Sequence, residues 1–328
     1  MRKLIGSVVA GVAMAVLTMA AVPGAAEAKV LKVAHSTWVG YGPFYIAKEK
    51  GYFKDEGVDV ELVLMEDPKL RFAALLAGRI DMLATTVDTM VLYLKEPDSL
   101  QFISALDDSN GGDGIVANKD IKSVADLKGK KVAFNEGSTS HFYLSVLLKK
   151  AGLTEKDIEA INMTAGDAGS AFVSKQVDAA VTWEPWLSRG KAAPHGRLLT
   201  DSSETPGLIT DIMVATKETV AARPDDIRAF VRAWYRAVDF WKANPDEANA
   251  IMARGVGGWL KKPDVFAETL TGIKYYDKQM NLDFFGTPEA PGPMYKTVQQ
   301  ALDIWSSFGK VQVKTKPSLI VNHDFIGR

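Results

Sequence analysis

The residues best suited to chemistry in this 328-residue chain are hydroxyls, carboxylates and indoles. In Asn135-Glu136-Gly137-Ser138-Thr139-Ser140 the hydroxyls lead into an apolar periodic stretch, which places them with free backbone N–H groups at a helix N-terminus. Such an end attracts an anionic oxygen without needing a lysine. Ser138 or Thr139 would also serve as a plain N-cap, and the two roles are compatible. Ser36, Thr37, Trp38 and Tyr41 follow one strand-like segment, and Thr85, Thr86 and Asp88 follow another.

A second set is acidic. Asp88, Asp107, Asp108, Asp113, Glu184 and Asp211 all fall in loop-like stretches near these hydroxyls, while 35–47, 85–94, 101–118 and 176–188 hold no Lys or Arg. That balance serves a free inorganic anion poorly and favours a ligand bearing an ammonium or guanidinium group. Some of the acids would instead close turns, as Asp107-Asp108-Ser109-Asn110-Gly111-Gly112 indicates, so two or three of the six are expected at the ligand. Trp183-Glu184-Pro185-Trp186 adds an aromatic face beside a carboxylate, which suits a cation. Trp186 is equally suited to packing, whereas Trp183 directly follows a strand and stands nearer the cleft.

Other chemistries are excluded. The chain has no Cys, which removes disulfides, thiolate metal sites and a cysteine nucleophile. Neither a G-x-S-x-G elbow nor an H-E-x-x-H pair occurs. The four histidines are His35, His141, His195 and His323; His35 and His141 could face each other across a cleft, but core or polar contacts are the favoured reading. Lys and Arg number 39 against 40 Asp and Glu, a formal charge of −1, so the basic field of a nucleic-acid binder is missing. No catalysis, cofactor or metal is expected.

These residues need a scaffold, and the chain predicts a duplicated one. Residues 1–28 are set aside as a targeting segment: Arg2 and Lys3, an uncharged run from Leu4 to Val22, then Ala26-Glu27-Ala28 before cleavage at Lys29. An uncleaved anchor is the alternative. Lys32-Val33-Ala34-His35 resembles Lys131-Val132-Ala133-Phe134, and Ala77 to Thr85 resembles Ser174 to Thr182, at offsets of 99 and 97 residues. Strands over Lys32–His35, Val58–Met65 and Ile80–Ala84 alternate with helices over Pro43–Lys50 and Asp67–Ala77. The second helix is given the apolar face Leu70, Ala73, Ala74 and Ala77. A helix over Ser138–Leu153 and a strand over Val177–Thr182 repeat the scheme. The aromatic stripes Ile227 to Trp241 and Val298 to Phe308 read as core packing.

The alternation implies parallel-rich α/β layers in two lobes. Crossings are sought at Gly114–Ala117 and Ile209–Ala215. They divide the chain into 29–114, an inserted lobe 115–212, and 213–328 returning to the first. A ligand is expected between the lobes, at the carboxyl ends of the strands.

The run Gly42-Pro43-Phe44-Tyr45-Ile46-Ala47-Lys48-Glu49-Lys50-Gly51-Tyr52-Phe53 resembles the opening of the nitrate/sulfonate/taurine family of ABC-transporter substrate-binding proteins. So do Leu76-Ala77-Gly78-Arg79-Ile80-Asp81, Ser123 to Val132, Gln176 to Ala180 and Trp183-Glu184-Pro185. The resemblance implies an α/β, type II periplasmic-binding-protein fold, in which two lobes on a two-strand hinge close over a small solute. It further implies a monomer in the periplasm that serves an inner-membrane permease and its cytoplasmic ATPase. It assigns ligand contacts to Ser36, Thr37, Thr86, Ser138, Thr139, Trp183 and Glu184. Together with Trp38, Tyr41, Asp88, Asp108, Asp113 and Asp211, these make up the expected site. A small sulfonate or a taurine-like aminosulfonate fits both polar sets. The alternatives are a small nitrogenous cation, such as guanidinium or an amine, and then nitrate or a pyrimidine precursor. Related pyrimidine-precursor enzymes use a Cys-rich iron segment that this chain lacks.

Overall fold

A computed structural model describes residues 30–256, 260 and 262–327; the targeting segment expected at 1–28 lies outside the described residues. β1 (Leu31–His35), β2 (Val60–Leu64) and β3 (Met82–Thr86) pair in parallel. β4 (Leu100–Ser109), β10 (Thr210–Thr216) and β11 (Ile273–Tyr275) join them antiparallel, giving the order β2-β1-β3-β10-β4-β11. A second sheet is built from β5 (Asp113–Asn118), β6 (Lys131–Phe134), β7 (Glu159–Asn162), β8 (Ala179–Trp183) and β9 (Gly196–Asp201), in the order β7-β6-β8-β5-β9. Both sheets therefore run second strand, first, third, and then a strand contributed from across the molecule.

The duplicated motif has a physical role. Asp81 accepts from the Lys32 backbone N–H at 2.8 Å, and Asp178 does the same for Lys131 at 2.9 Å. Each aspartate also donates its own N–H to the same lysine's carbonyl at 2.9 Å. The short acidic side chain thus pins the start of the first strand to the start of the third in both lobes.

The chain passes between the sheets at 110–112 and 202–209, so the stretches Gly114–Ala117 and Ile209–Ala215 lie largely inside β5 and β10 rather than forming the crossings. Ser202 ties the two passages together. Its Oγ accepts from the Gly111 N–H at 2.7 Å and lies 2.8 Å from Ser109 Oγ.

One helix turns a different face inward from that predicted. Pro68–Leu76 buries Pro68, Arg71, Phe72 and Leu75, while Leu70 of the expected stripe is 63% exposed. Both stripes obey the i, i+3, i+4, i+7 rule and differ by two residues, a rotation of about 200° that turns nearly the opposite face inward. The larger side chains decide the outcome: Phe72 stacks on Tyr93 with ring centroids 4.2 Å apart. The C-terminal stripes do pack into the core. Ile227, Phe230, Val231, Trp234 and Val238 are buried on the helix Pro224–Ala243. Trp305, on the helix Pro293–Ser307, meets His141 and Phe142 of the inserted lobe with ring centroids 5.2 and 5.3 Å away.

Candidate functional site

A cavity enclosing about 380 Å3 of empty space, part of it open to solvent, lies between the carboxyl ends of the strands of the two sheets. The first lobe supplies Ser36, Trp38, Tyr41, Pro68, Arg71, Thr85, Thr86, Thr89 and Asp211; the second supplies Asp113, Ser138, Thr139 and Trp183. Nine of these are residues expected from the sequence. Thr85 stands with Thr86 at the second strand end in the sequence without belonging to the expected site, and Pro68, Arg71 and Thr89 are additions.

Arg71 changes the electrostatics of the site. It comes from the first turn of its helix, which Asp67 caps by accepting from the Leu70 N–H at 3.1 Å and which Pro68 opens. The guanidinium is only 4% exposed, donates from Nη1 to the Met65 carbonyl at 2.7 Å, and leaves Nε without a partner. Burial lowers its pKa, opposed by the acidic groups around it, including Glu66 and Asp211. A guanidinium remains cationic in a protein, so the cavity contains a fixed positive donor. The expectation of a site without a basic group is corrected here, because the ranges scanned for lysine and arginine stop short of this helix.

Hydroxyls line the same cavity. Thr86 Oγ1 lies 2.6 Å from Thr139 Oγ1 and 2.9 Å from Thr89 Oγ1, so side chains from the two lobes bond directly. Ser138 caps the helix Thr139–Lys150 by accepting from the Ser140 N–H, and it also lines the cavity. The N-cap role considered for this terminus is thus filled by Ser138, whose side chain also lies on the cavity wall.

The aromatic walls are anchored to carboxyls. Trp38 Nε1 donates to Asp107 at 3.1 Å, and the Tyr41 hydroxyl donates to Asp211. Trp183 Nε1 reaches across to the Thr37 carbonyl at 2.8 Å. Burial pushes the carboxyls of Asp88 and Asp113 up to about 7. Asp107 and Asp211 rise well above the carboxylate range, chiefly by burial, and for Asp211 next by the neighbouring Asp107 charge. The same desolvation lowers His35 to about 4, so the ring under Tyr41 is neutral at physiological pH.

Four expected site residues turn elsewhere. Thr37 bonds Glu66 through Oγ1 at 2.6 Å. Asp88 lies behind Thr89, which donates to its Oδ2 at 3.2 Å, and its Oδ1 has no partner. Asp108 points to the opposite face of β4 from Asp107, taking hydrogen bonds from Thr210 at 2.6 Å and Tyr276 at 2.9 Å. Glu184 accepts from the N–H and hydroxyl of Ser188 in the following helix, at 3.1 and 2.7 Å, and burial raises it to about 7. His141 is held by Glu155 at 2.7 Å, and His35 bonds the Ser36 carbonyl at 2.9 Å.

Comparison with known proteins places this architecture. The chain matches the family described as NMT1/THI5 like over residues 38–248, and it belongs to that family. A binding protein of Brucella abortus (strain 2308) is 31% identical over 212 residues, 64% of this chain and 66% of that one, just under two thirds of its length. The taurine-binding periplasmic protein of Escherichia coli (strain K12) is 26% identical over 213 residues, 61% of this chain and 62% of that one. Among solved structures, the periplasmic aliphatic sulphonate binding protein of Escherichia coli superposes with a TM-score of 0.68 at 22% identity, covering 86% of this chain and 94% of that one. The periplasmic nitrate-binding protein of Synechocystis PCC 6803 gives 0.69 at 17%, covering 91% and 87%. The fold is the two-lobed fold of periplasmic binding proteins.

Proposed function

We propose that the chain is the solute-binding component of an ABC importer and takes a small sulfonate or a taurine-like aminosulfonate. The observation that supports this reading is that the Arg71 guanidinium and hydroxyls of both lobes line one cavity between the sheets. A sulfonate has three oxygens to share among such donors, and charge-assisted bonds to a buried guanidinium are the strong ones. The carboxyls of Asp113 and Asp211 on the cavity wall favour an amine on the same ligand. They also support a second reading, a small nitrogenous cation, in which Arg71 would be a spectator.

Because the cavity takes side chains from both lobes, a ligand that touches both stabilises the closed arrangement by its differential affinity for it. On this reading the first lobe runs from 29 to Ser109 and resumes at Thr210, and the inserted lobe is Asp113–Asp201, a few residues off the expected limits of 114 and 212. The protein is a periplasmic monomer released from its leader after Ala28, and it hands its ligand to a permease driven by a cytoplasmic ATPase. Binding, without catalysis, is its activity. The test is a thermal-shift series on ligand-stripped protein with taurine, alkanesulfonates, nitrate, sulfate, guanidinium and simple amines. A ligand at about 100 times its Kd stabilises by roughly 2.7 kcal/mol, well within resolution. Shifts with sulfonates and none with guanidinium carry the proposal; shifts with cations alone sink it.

A further inference from the structure

Asp107 does not line the cavity, yet it stands directly opposite Asp211 in the antiparallel pairing of β4 with β10. Facing residues in such a ladder have Cβ atoms about 5 Å apart and share a face of the sheet. Two carboxylates so placed repel each other, and both are buried, Asp107 completely. Their hydrogen-bond donors are neutral: the Trp38 indole serves Asp107 and the Tyr41 hydroxyl serves Asp211. Among the described residues, Asp88, Asp108, Asp113, Tyr275, Tyr276 and the neutral His35 surround the pair, Arg71 interacts with the Asp211 side, and Lys274 of β11 acts on the neighbouring Asp108, which faces the other way. Arg71 also lines the cavity, with a buried Nε that has no partner, so a ligand anion would claim it.

Resting on the ligand reading above, we propose that Asp107 and Asp211 hold one proton between them in the free protein, and that the ligand's ammonium group displaces it to solvent. Asp107 is then a positioning residue for specificity. The cavity selects a ligand with an anion for Arg71 and a cation for Asp211, and rejects one with the anion alone. The exchange balances, since one ammonium charge enters and one proton leaves. Because binding releases a proton, affinity for the amine-bearing ligand rises with pH by up to about tenfold per unit while the free pair is still protonated.

The test is calorimetric titration of the purified protein at pH 7 in phosphate and in Tris, whose ionisation enthalpies differ, using taurine, propanesulfonate and guanidinium. About one proton released with taurine and none with propanesulfonate is the expected result, with propanesulfonate at least tenfold weaker. Tight taurine binding without proton release overturns the proposal while leaving the sulfonate reading intact, as does equal affinity for propanesulfonate. Proton release with guanidinium and no response to sulfonates keeps the shared proton and removes the sulfonate reading. Binding of none of the three overturns both. Asp107→Asn retains an oxygen for the Trp38 indole but removes the shared charge, so proton release should fall towards zero and the pH slope should flatten. Should that variant not fold, carbon-detected NMR of aspartate-labelled wild type at pH 7 decides: two ionised carboxylates at these positions overturn the proposal.

Discussion

The two lobes are built to one plan and carry opposite chemistry. The helix Pro68–Leu76 of the first and Ala165–Val173 of the second follow equivalent strands at an offset of 97 residues, the offset of the duplicated motif. At matched positions the first has Arg71 and the second Ala168, and both are buried. After β1 the first lobe places Trp38 and Tyr41, with their carboxyl anchors Asp107 and Asp211 on its own sheet. After β6 the second has only a capped helix terminus with small hydroxyls. One lobe thus holds most of the fixed charge, while the other contributes hydroxyls, the Trp183 wall and Asp113, the strand residue nearest the crossing. What duplicates is the pinning aspartate of the scaffold; what diverges is the cavity wall.

The largest effect should come from the face of the arginine-bearing helix. Leu75→Ala is expected to cost about 2–5 kcal/mol in denaturant unfolding and Leu70→Ala less than about 0.5 kcal/mol. Equal losses would contradict the inward rotation of Arg71. Arg71→Ala should weaken sulfonate binding by roughly 10- to 100-fold, the scale of a lost charge-assisted contact. Its melting temperature should hold or rise, since a buried charge is removed; calorimetry and a melting curve on one sample read both.

Acidity distinguishes the cavity walls next. Asp88, Asp113 and Glu184 titrate near 7 when folded, against about 4 when unfolded. The folded protein binds more protons at these three acids between those values, so their contribution to stability falls as pH rises from about 4 through 7, outweighing the single opposite contribution of His35, whose pKa burial lowers to about 4. The ligand-free melting temperature should therefore drop between pH 5 and pH 8, and Asp113→Asn should flatten the slope; a rising curve would remove the buried-acid account. The smallest effect is expected from Thr139→Val. It breaks the hydroxyl contact between lobes and should loosen ligand binding by a few-fold, about 0.5–1.5 kcal/mol, as measured by off-rate.

The scaffold was legible because strand periodicity and the duplicated motif report backbone requirements: Asp81 and Asp178 bond the same lysine amides in both lobes. Hydroxyl positions followed from strand ends. Arg71 escaped because two stripes of its helix satisfy the same spacing. Counting apolar residues favoured the alanine-rich stripe, whereas volume buries Phe72 and Leu75. Asp107 stands among the six acids read from the sequence but is left out of the expected site for a related reason. The stretch Asp107–Gly112 has turn composition, but β4 runs on to Ser109, and in a strand adjacent side chains face opposite ways. Choosing Asp108 for the cavity therefore took the wrong face. Glu184 sits where a cavity acid was expected, yet a serine four residues on in the next helix captures it.

The passage between sheets at 110–112 touches the cavity wall itself. A Cβ on Gly112 would stand 2.6 Å from Cη2 of Trp38, so the indole that faces the cavity rests its far edge on the hinge backbone. Asp107 grips the nitrogen of the same ring. Trp38 is therefore a rigid spacer clamped between a strand and a pivot, and a solute that shifts the ring also presses on the pivot. In mechanical terms, the cavity wall and the passage between the sheets are one part, so on the proposed closure a solute against Trp38 would load the point about which the lobes turn.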